Sequence, residues 1–504
     1  MDKFGNVLRV NKSDNVGVAL EDLIPHERVE IEGSFITIRE NIARGHKISL
    51  KNIFQGKDVI KSGYQIGHAT GFIEAGEHVH VHNLKTNLKG LLNYSYSPEF
   101  TCKEVEVVKE ARFKGYAREN GEIGIRNEIW IIPTVGCVNK TAEIIHDKAR
   151  EIFREEILQG KCEGVFAFAH PYGCSQLGGD LLNTQKILAG LVNHPNAAGV
   201  LVLGLGCENN NIQEFKRVLG AYNERRVRFL VAQEAENEIE EALKIIAGLV
   251  EYAGLFKRKT LPASRLVIGL KCGGSDAFSG ITANPLLGLF SDMLVGQGGS
   301  ALLTEVPEMF GAETILMNRC VDEEVFRKTV RLINDFKKYY IEHGQEIFEN
   351  PSPGNKEGGI TTLEEKSLGC ILKGGMSKVT DVLDYGERVS KRGFNLLQAP
   401  GNDIVASTAL AAAGAHLILF TTGRGTPLGA PVPTVKVSSN SELFNRKRDW
   451  IDFDAGQILK EKDIHPVKEL FFEFVLNIVS GETKSRNEEK GYREIAIFKN
   501  GVTL

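Results

Sequence analysis

The chain of 504 residues has no apolar run approaching the roughly 20 residues needed to cross a bilayer. Its opening stretch, MDKFGNVLRVNKSDN, has no signal-peptide core. The expectation is a cytoplasmic protein with no membrane partner. Charge of one sign is also missing: the formal net charge is -4 and the pI is near 6.4. That excludes the basic footprint of a nucleic-acid partner. The eight cysteines include no closely spaced pair, so neither a zinc ribbon nor a CxxC redox motif is present. In a reducing compartment they read as thiols. The phosphate-binding P-loop and the dinucleotide fingerprint are absent too, which argues against nucleotide use. No low-complexity tract or short repeat breaks the chain.

What the chain does have is glycine, 53 residues in all, above the usual share of about 7%. These glycines gather in turns, as expected where backbone approaches a ligand. A chain this long also exceeds the roughly 250–300 residues of a single core and should divide into domains. Residues 1–90 mix β-branched residues with alternation and read as a small β-rich domain. Residues 91–112, with a polar, Pro-containing middle, read as a linker. From residue 113 the pattern becomes strand–loop–helix, the signature of a parallel sheet with helical crossovers. A break near FKRKTLPASR divides it into α/β regions at 113–258 and 259–504. The fold class is therefore α/β: a small β-rich domain followed by two parallel-sheet regions.

Four apolar strand candidates end in TVGC, PYGC, GLGC and GLKC, delivering Cys137, Cys174, Cys207 and Cys272 to strand tips. Carboxyl ends of parallel strands share one edge, and ligands of open α/β sheets bind outside it. Buried cysteine as a small hydrophobe is the competing explanation, and it wins for any single one. His170 precedes Cys174 and Glu208 follows Cys207, and thiolate with imidazole suits Fe(II) or Zn(II). In GEHVHVHNL, His78, His80 and His82 alternate with Val79 and Val81, which predicts one histidine face on a strand. His46 and His68 lie in the same domain. The loops KCGGSDAFSG, PSPGNKEGG, APGND and TTGRGTPLG combine glycine with polar groups suited to an anion.

The segments HPYGCSQLGGD, GLGCENN, LKCGGSDAFSGITANPLLG, LTEVPEMFGAE, PSPGNKEGGITTLEEKSLGC and FTTGRGTP, with GHKISL and GEHVHVHNL upstream, resemble the altronate/galactarate dehydratase family. The β-rich domain is similar to that family's SAF domain, and HVHVHN looks closer to the altronate branch. The resemblance implies loss of water from a sugar acid, D-altronate above all, to a 2-keto-3-deoxy acid. It also implies ferrous iron, Fe(2+), with Mn(2+) as a substitute, and a homo-oligomer such as a dimer. On chemical grounds His78 and His80, or else His170, Cys174 and Cys207, are the candidate metal ligands. His46, His68 and Glu305 are the candidate acid–base groups. Ser275, Asp276, Asn355, Lys356 and Arg424 are the candidate substrate contacts. The alternatives are galactarate or another hydroxy acid as substrate, including sulfite loss from a sulfonated one, an iron–sulfur cluster on three of the strand-tip cysteines, and a non-catalytic sugar-acid-binding protein.

Overall fold

The computed structural model describes residues 2–31, 33–100, 110–460, 464–501 and 503. Part of the expected linker, residues 101–109 with Cys102, lies outside them. The β-rich domain is built from short strands because its glycines interrupt every apolar run within a few residues. A five-stranded antiparallel sheet joins Asp2–Phe4, Val7–Arg9, Val16–Ala19, Lys47–Ser49 and His78–Val79. A three-stranded sheet joins Leu84–Lys85, Tyr64–Ala69 and Asp58–Lys61. Val7, Ala19, Ile38, Ile42 and Ile48 fill the core beside the first sheet.

The first α/β unit is a four-stranded parallel sheet. Its strands are β1 (Glu128–Pro133), β2 (Val165–Ala167), β3 (Ala197–Gly204) and β4 (Val227–Val231), in the order β2-β1-β3-β4. β3 is buried along its whole length, as continuous apolar runs in parallel sheets are. The helix after it, Ile212–Leu219, starts at a capping side chain. Asn211 accepts hydrogen bonds from the Gln213 and Glu214 backbone N–H groups.

The second unit is a seven-stranded parallel sheet: β5 (Val267–Cys272), β6 (Ser300–Leu303), β7 (Val379–Leu383), β8 (Gly393–Leu397), β9 (Leu417–Thr422), β10 (Thr434–Ser438) and β11 (Phe453–Asp454). Their order is β7-β8-β6-β5-β9-β10-β11. Connections run one way from β5 and the other way from β9, so a topological switch point lies between those two strands. The expected break near residue 260 is itself a strand: Arg258–Pro262 pairs antiparallel with Arg112–Ala117. The two units also share a core, with Leu188, Leu191 and Val202 packed together with Ala409, Leu410 and Phe420. No helix among the described residues is long and apolar enough to cross a membrane.

Candidate active site at the domain junction

The β-rich domain meets the second α/β unit across two glycines. Gly359 has φ +91°, and a Cβ there would stand 2.4 Å from the Gly45 carbonyl oxygen. Only glycine permits that approach. Next to it, Lys47 is fully buried and donates to the Gly359 carbonyl at 2.8 Å and to Glu365 at 2.9 Å. Lys61 reaches the other Glu365 oxygen at 2.7 Å. Two lysines of one domain thus clamp one carboxylate of the other.

This junction gathers the histidines, though not as the alternation predicted. The strand is only His78–Val79, and the chain then turns through residues 80–83, with the Asn83 side chain accepting from the His80 N–H at 3.0 Å. Val81 is consequently exposed and does not sit beside buried Val79. The turn stacks His80 on His46 with ring centroids 4.9 Å apart, and on His78 at 5.3 Å. His46 Nδ1 and His78 Nε2 share a hydrogen bond of 2.9 Å. His80 Nε2 donates to the Lys356 carbonyl at 3.0 Å, and His46 Nε2 to the Glu357 carbonyl at 3.1 Å. Burial lowers the pKa of all three, and for His78 neighbouring imidazoles lower it further, so His78 titrates near about 3 and His80 near about 4. The imidazoles are therefore neutral at physiological pH, the form that binds metals and accepts protons. His68 makes a separate contact: its Nδ1 meets Asn87 Oδ1 at 2.6 Å.

The segment under the imidazoles, residues 353–359, begins as the one-turn helix Pro353–Glu357 and packs on the loops after β5 and β9, at the switch point. Asn355 is buried, donating to the Ser275 carbonyl at 2.8 Å, and serves to fix the loop. Asp276 is a structural hub. Its carboxylate accepts from Ser279, Ser439 and Asn440, which uses both oxygens. Arg424 is half-exposed and pairs with Glu357 at 3.0 Å. Ser275 stands apart, because its hydroxyl is buried without a partner and it lines a small cavity with Lys366, Glu365 and Cys370. An unpaired buried hydroxyl is a standing invitation to a ligand donor or acceptor.

Behind that cavity is a dense buried charge cluster that sequence reasoning missed. Glu305, placed as a candidate base, is 1% exposed and held between Lys271 and Lys373, the latter at 2.8 Å. Its Oε2 also accepts the Cys272 N–H at 3.0 Å. Both oxygens are engaged, so Glu305 is held as a strut between the two lysines. Glu308 pairs with Lys366 at 3.0 Å and accepts from Cys272 and Cys370 at 3.3 and 3.0 Å. Cys272, Glu308 and Cys370 present ligand atoms close enough to share one ion. The imidazoles are a second cluster of metal-binding residue types, half-buried where the cysteines are fully buried, and Glu308 is already paired with Lys366.

Comparison with known proteins matches this architecture piece by piece. Residues 5–87 match the altronate/galactarate dehydratase SAF domain, residues 115–254 the D-galactarate dehydratase/altronate hydrolase second domain, and residues 263–503 the D-galactarate/altronate dehydratase C-terminal domain. The chain belongs to the altronate/galactarate dehydratase family. It is 53% identical to an altronate dehydratase of Bacillus subtilis and 50% identical to one of Escherichia coli, each over 99% of both chains. It is 31% identical to an Escherichia coli galactarate dehydratase, over 97% of this chain and 96% of that one.

In this altronate/galactarate dehydratase family member the alternative ligand set, His170 with Cys174 and Cys207, does not assemble. His170 is buried; its Nδ1 accepts from the Tyr172 N–H at 3.2 Å and its Nε2 donates to the Pro133 carbonyl at 2.7 Å. Both ring nitrogens are used to fix a turn. Glu208 is likewise consumed by the Thr134 hydroxyl and the Leu205 and Gly206 N–H groups. Cys272 belongs to the second sheet, away from Cys137, Cys174 and Cys207 in the first. Lys47, Glu365, Lys366 and Cys370 left no local signal, since each acquires its meaning from a partner distant in the chain.

Proposed function

We propose that this hydro-lyase removes water from D-altronate to give 2-dehydro-3-deoxy-D-gluconate, as a cytoplasmic enzyme of sugar-acid breakdown. The observation that carries the reading is the stack of three neutral imidazoles over the 353–359 loop, facing the switch-point loops. Identity of 53 and 50% to two altronate dehydratases, against 31% to a galactarate dehydratase, favours altronate over galactarate.

Ferrous iron is the proposed cofactor, with Mn(2+) as substitute, and His78 and His80 are the residues that would hold it. Their rings stack with centroids 5.3 Å apart and are neutral, the form of imidazole that binds a metal. When bound, the metal draws charge from the substrate carboxylate and hydroxyl as a Lewis acid. Arg424 and Lys356 hold the carboxylate, and Ser275 takes a hydroxyl of the sugar chain. An imidazole of the cluster, His46 in this reading, takes the proton from C2. The C3–O bond breaks as that oxygen receives a proton, and water leaves. The resulting enol becomes the 2-keto acid by taking a proton at C3.

The test is turnover of D-altronate and of galactarate by anaerobically purified protein, metal-free and with Fe(II), for the natural chain and for H46A and H80A. Iron-dependent turnover of altronate, reduced at least about a hundredfold in both variants, is the expected result. Near-natural rates in both variants would remove the imidazoles from the chemistry, and turnover of galactarate alone would overturn the substrate.

A further inference from the structure

The edge of the first sheet is unused by this reading, and it is built as a site. Seven cysteines are described, all free; four are buried, and the three exposed ones are Cys137, Cys174 and Cys207. Free cysteine is among the most buried residue types, so exposure needs a reason. Here the exposed thiols are the three that follow β1, β2 and β3. Those strands are neighbours, with β1 in the middle. Adjacent strands lie about 4.8 Å apart, so the three loops that carry the thiols leave the sheet side by side. The place is also the switch point of this sheet. From β1 the chain continues to β2 on one side, and from β3 to β4 on the other, which is where open α/β sheets take ligands.

The three loops are tied together by their backbones. Gly136 N–H donates to the Tyr172 carbonyl at 2.9 Å and Asn210 N–H to the Gly173 carbonyl at 3.0 Å. Asn210 Nδ2 reaches the Thr134 carbonyl at 3.0 Å. Gly173 has φ +96°, and a Cβ there would stand 2.0 Å from the Thr134 carbonyl oxygen. Ser175, beside Cys174, is held in the left-handed region at φ 56°, with its N–H on Asn209 Oδ1 at 2.9 Å. Asn210 Oδ1, in a fully buried side chain under the edge, has no partner. Strain and an unpaired acceptor at a preassembled thiol cluster are what a ligand site shows and a packing site does not.

The donor set selects the ligand. The group found to converge on a single ion is Cys272, Glu308 and Cys370, and the edge thiols are not part of any such group among the described residues. Sulfur ligands too widely set for one ion suit a cluster, whose own iron and sulfide fill the space between them. We infer that Cys137, Cys174 and Cys207 bind an iron–sulfur cluster of the [4Fe–4S] type at the carboxyl edge of the first sheet. Loading replaces three thiol protons by three iron–sulfur bonds, with ferrous and ferric iron and sulfide supplied from outside. Three thiolates leave one iron without a cysteine, open to water or to a hydroxy-acid oxygen. This site is separate from the imidazole cluster, and the two can fail independently.

The test uses the full-length protein, purified anaerobically and reconstituted with iron and sulfide. The expected product is brown, with iron and acid-labile sulfide in equal amounts. C137S, C174S and C207S each lose the chromophore, while C162S and H80A keep it. In parallel, the metal-free natural chain has three thiols that alkylate rapidly, mapped by peptide mass to these positions and protected after reconstitution. This second readout needs no variant to fold. Iron bound without sulfide, or a chromophore untouched by the three substitutions, would overturn the inference. So would alkylation unchanged by reconstitution. Loss of turnover in H80A with the chromophore intact would leave it standing.

Discussion

Two side chains at the junction respond to substitution in opposite ways. The Ser275 hydroxyl is buried with no partner in the protein, so S275A removes a group that contributes nothing to folding. Stability should hold or rise slightly, while the altronate KM increases roughly tenfold, the worth of one hydrogen bond of about 1–1.5 kcal/mol. A fall in melting temperature with KM unchanged would assign the hydroxyl to structure. Glu305 is the reverse case. E305Q leaves Lys271 and Lys373 buried without their shared carboxylate, and losing one partner of a buried ion pair costs about 3–5 kcal/mol. Denaturant unfolding should show that loss. A variant of natural stability with no turnover would restore Glu305 as the base. The sequence TEVPE shows two carboxylates near a strand end but not the lysines facing them. Lys373 lies 68 residues away, so its pairing with Glu305 leaves no local signal.

At the scale of elements, the parallel strands and their tips were legible because long apolar runs ending in glycine leave few other conformations. The histidine segment was legible in composition but not in shape. Alternation predicts a strand, yet Asn83 closes a turn over His80 after two residues of pairing. The docking of the two domains was not legible at all. Its centre is Glu365, on the helix Leu363–Ile371, where Lys47 and Lys61 converge. Lys47 meets it across 318 residues of sequence. Burial lowers the Lys47 pKa to about 8, against the pull of Glu365. E365Q should therefore weaken domain docking by about 3–5 kcal/mol and displace Gly45 from Gly359. A calorimetric trace with an early transition for the β-rich domain, together with loss of turnover, is the expected outcome. One unchanged transition would show that the glycine contact suffices.

Over the whole molecule, buried histidine sets the response to acid. His170 and His416 are held neutral by burial, each with its pKa lowered to about 4 from an ordinary 6.5. Their ring nitrogens are spent on backbone groups of the two α/β units: Pro133 and Tyr172 for one, Val267 for the other. The unfolded chain takes up protons at these rings as pH falls through 6.5, and the folded chain does not until about 4. Stability is therefore full above pH 6.5 and is lost between 6.5 and 4, by on the order of 3 kcal/mol for each ring at 1.36 kcal/mol per pH unit. Ion-paired carboxylates act later. Glu488, held down to about 2 by Arg126 despite its burial, contributes stability that begins to fall only below its unfolded value of 4.5. The half-buried imidazoles at the junction act in the same sense with smaller weight, since solvent screens them. Melting temperature of the metal-free protein should thus hold from pH 8 to 6.5 and decline from there, with Asp452, raised to about 6 by burial, opposing the decline as it takes up a proton in the folded chain. H170Q should reduce the slope between pH 6.5 and 4.5 even though it lowers stability at pH 8. A curve level down to pH 4.5 would mean that these rings are charged in the folded chain, and with them the hydrogen bonds that hold the strand tips would have to be reassigned.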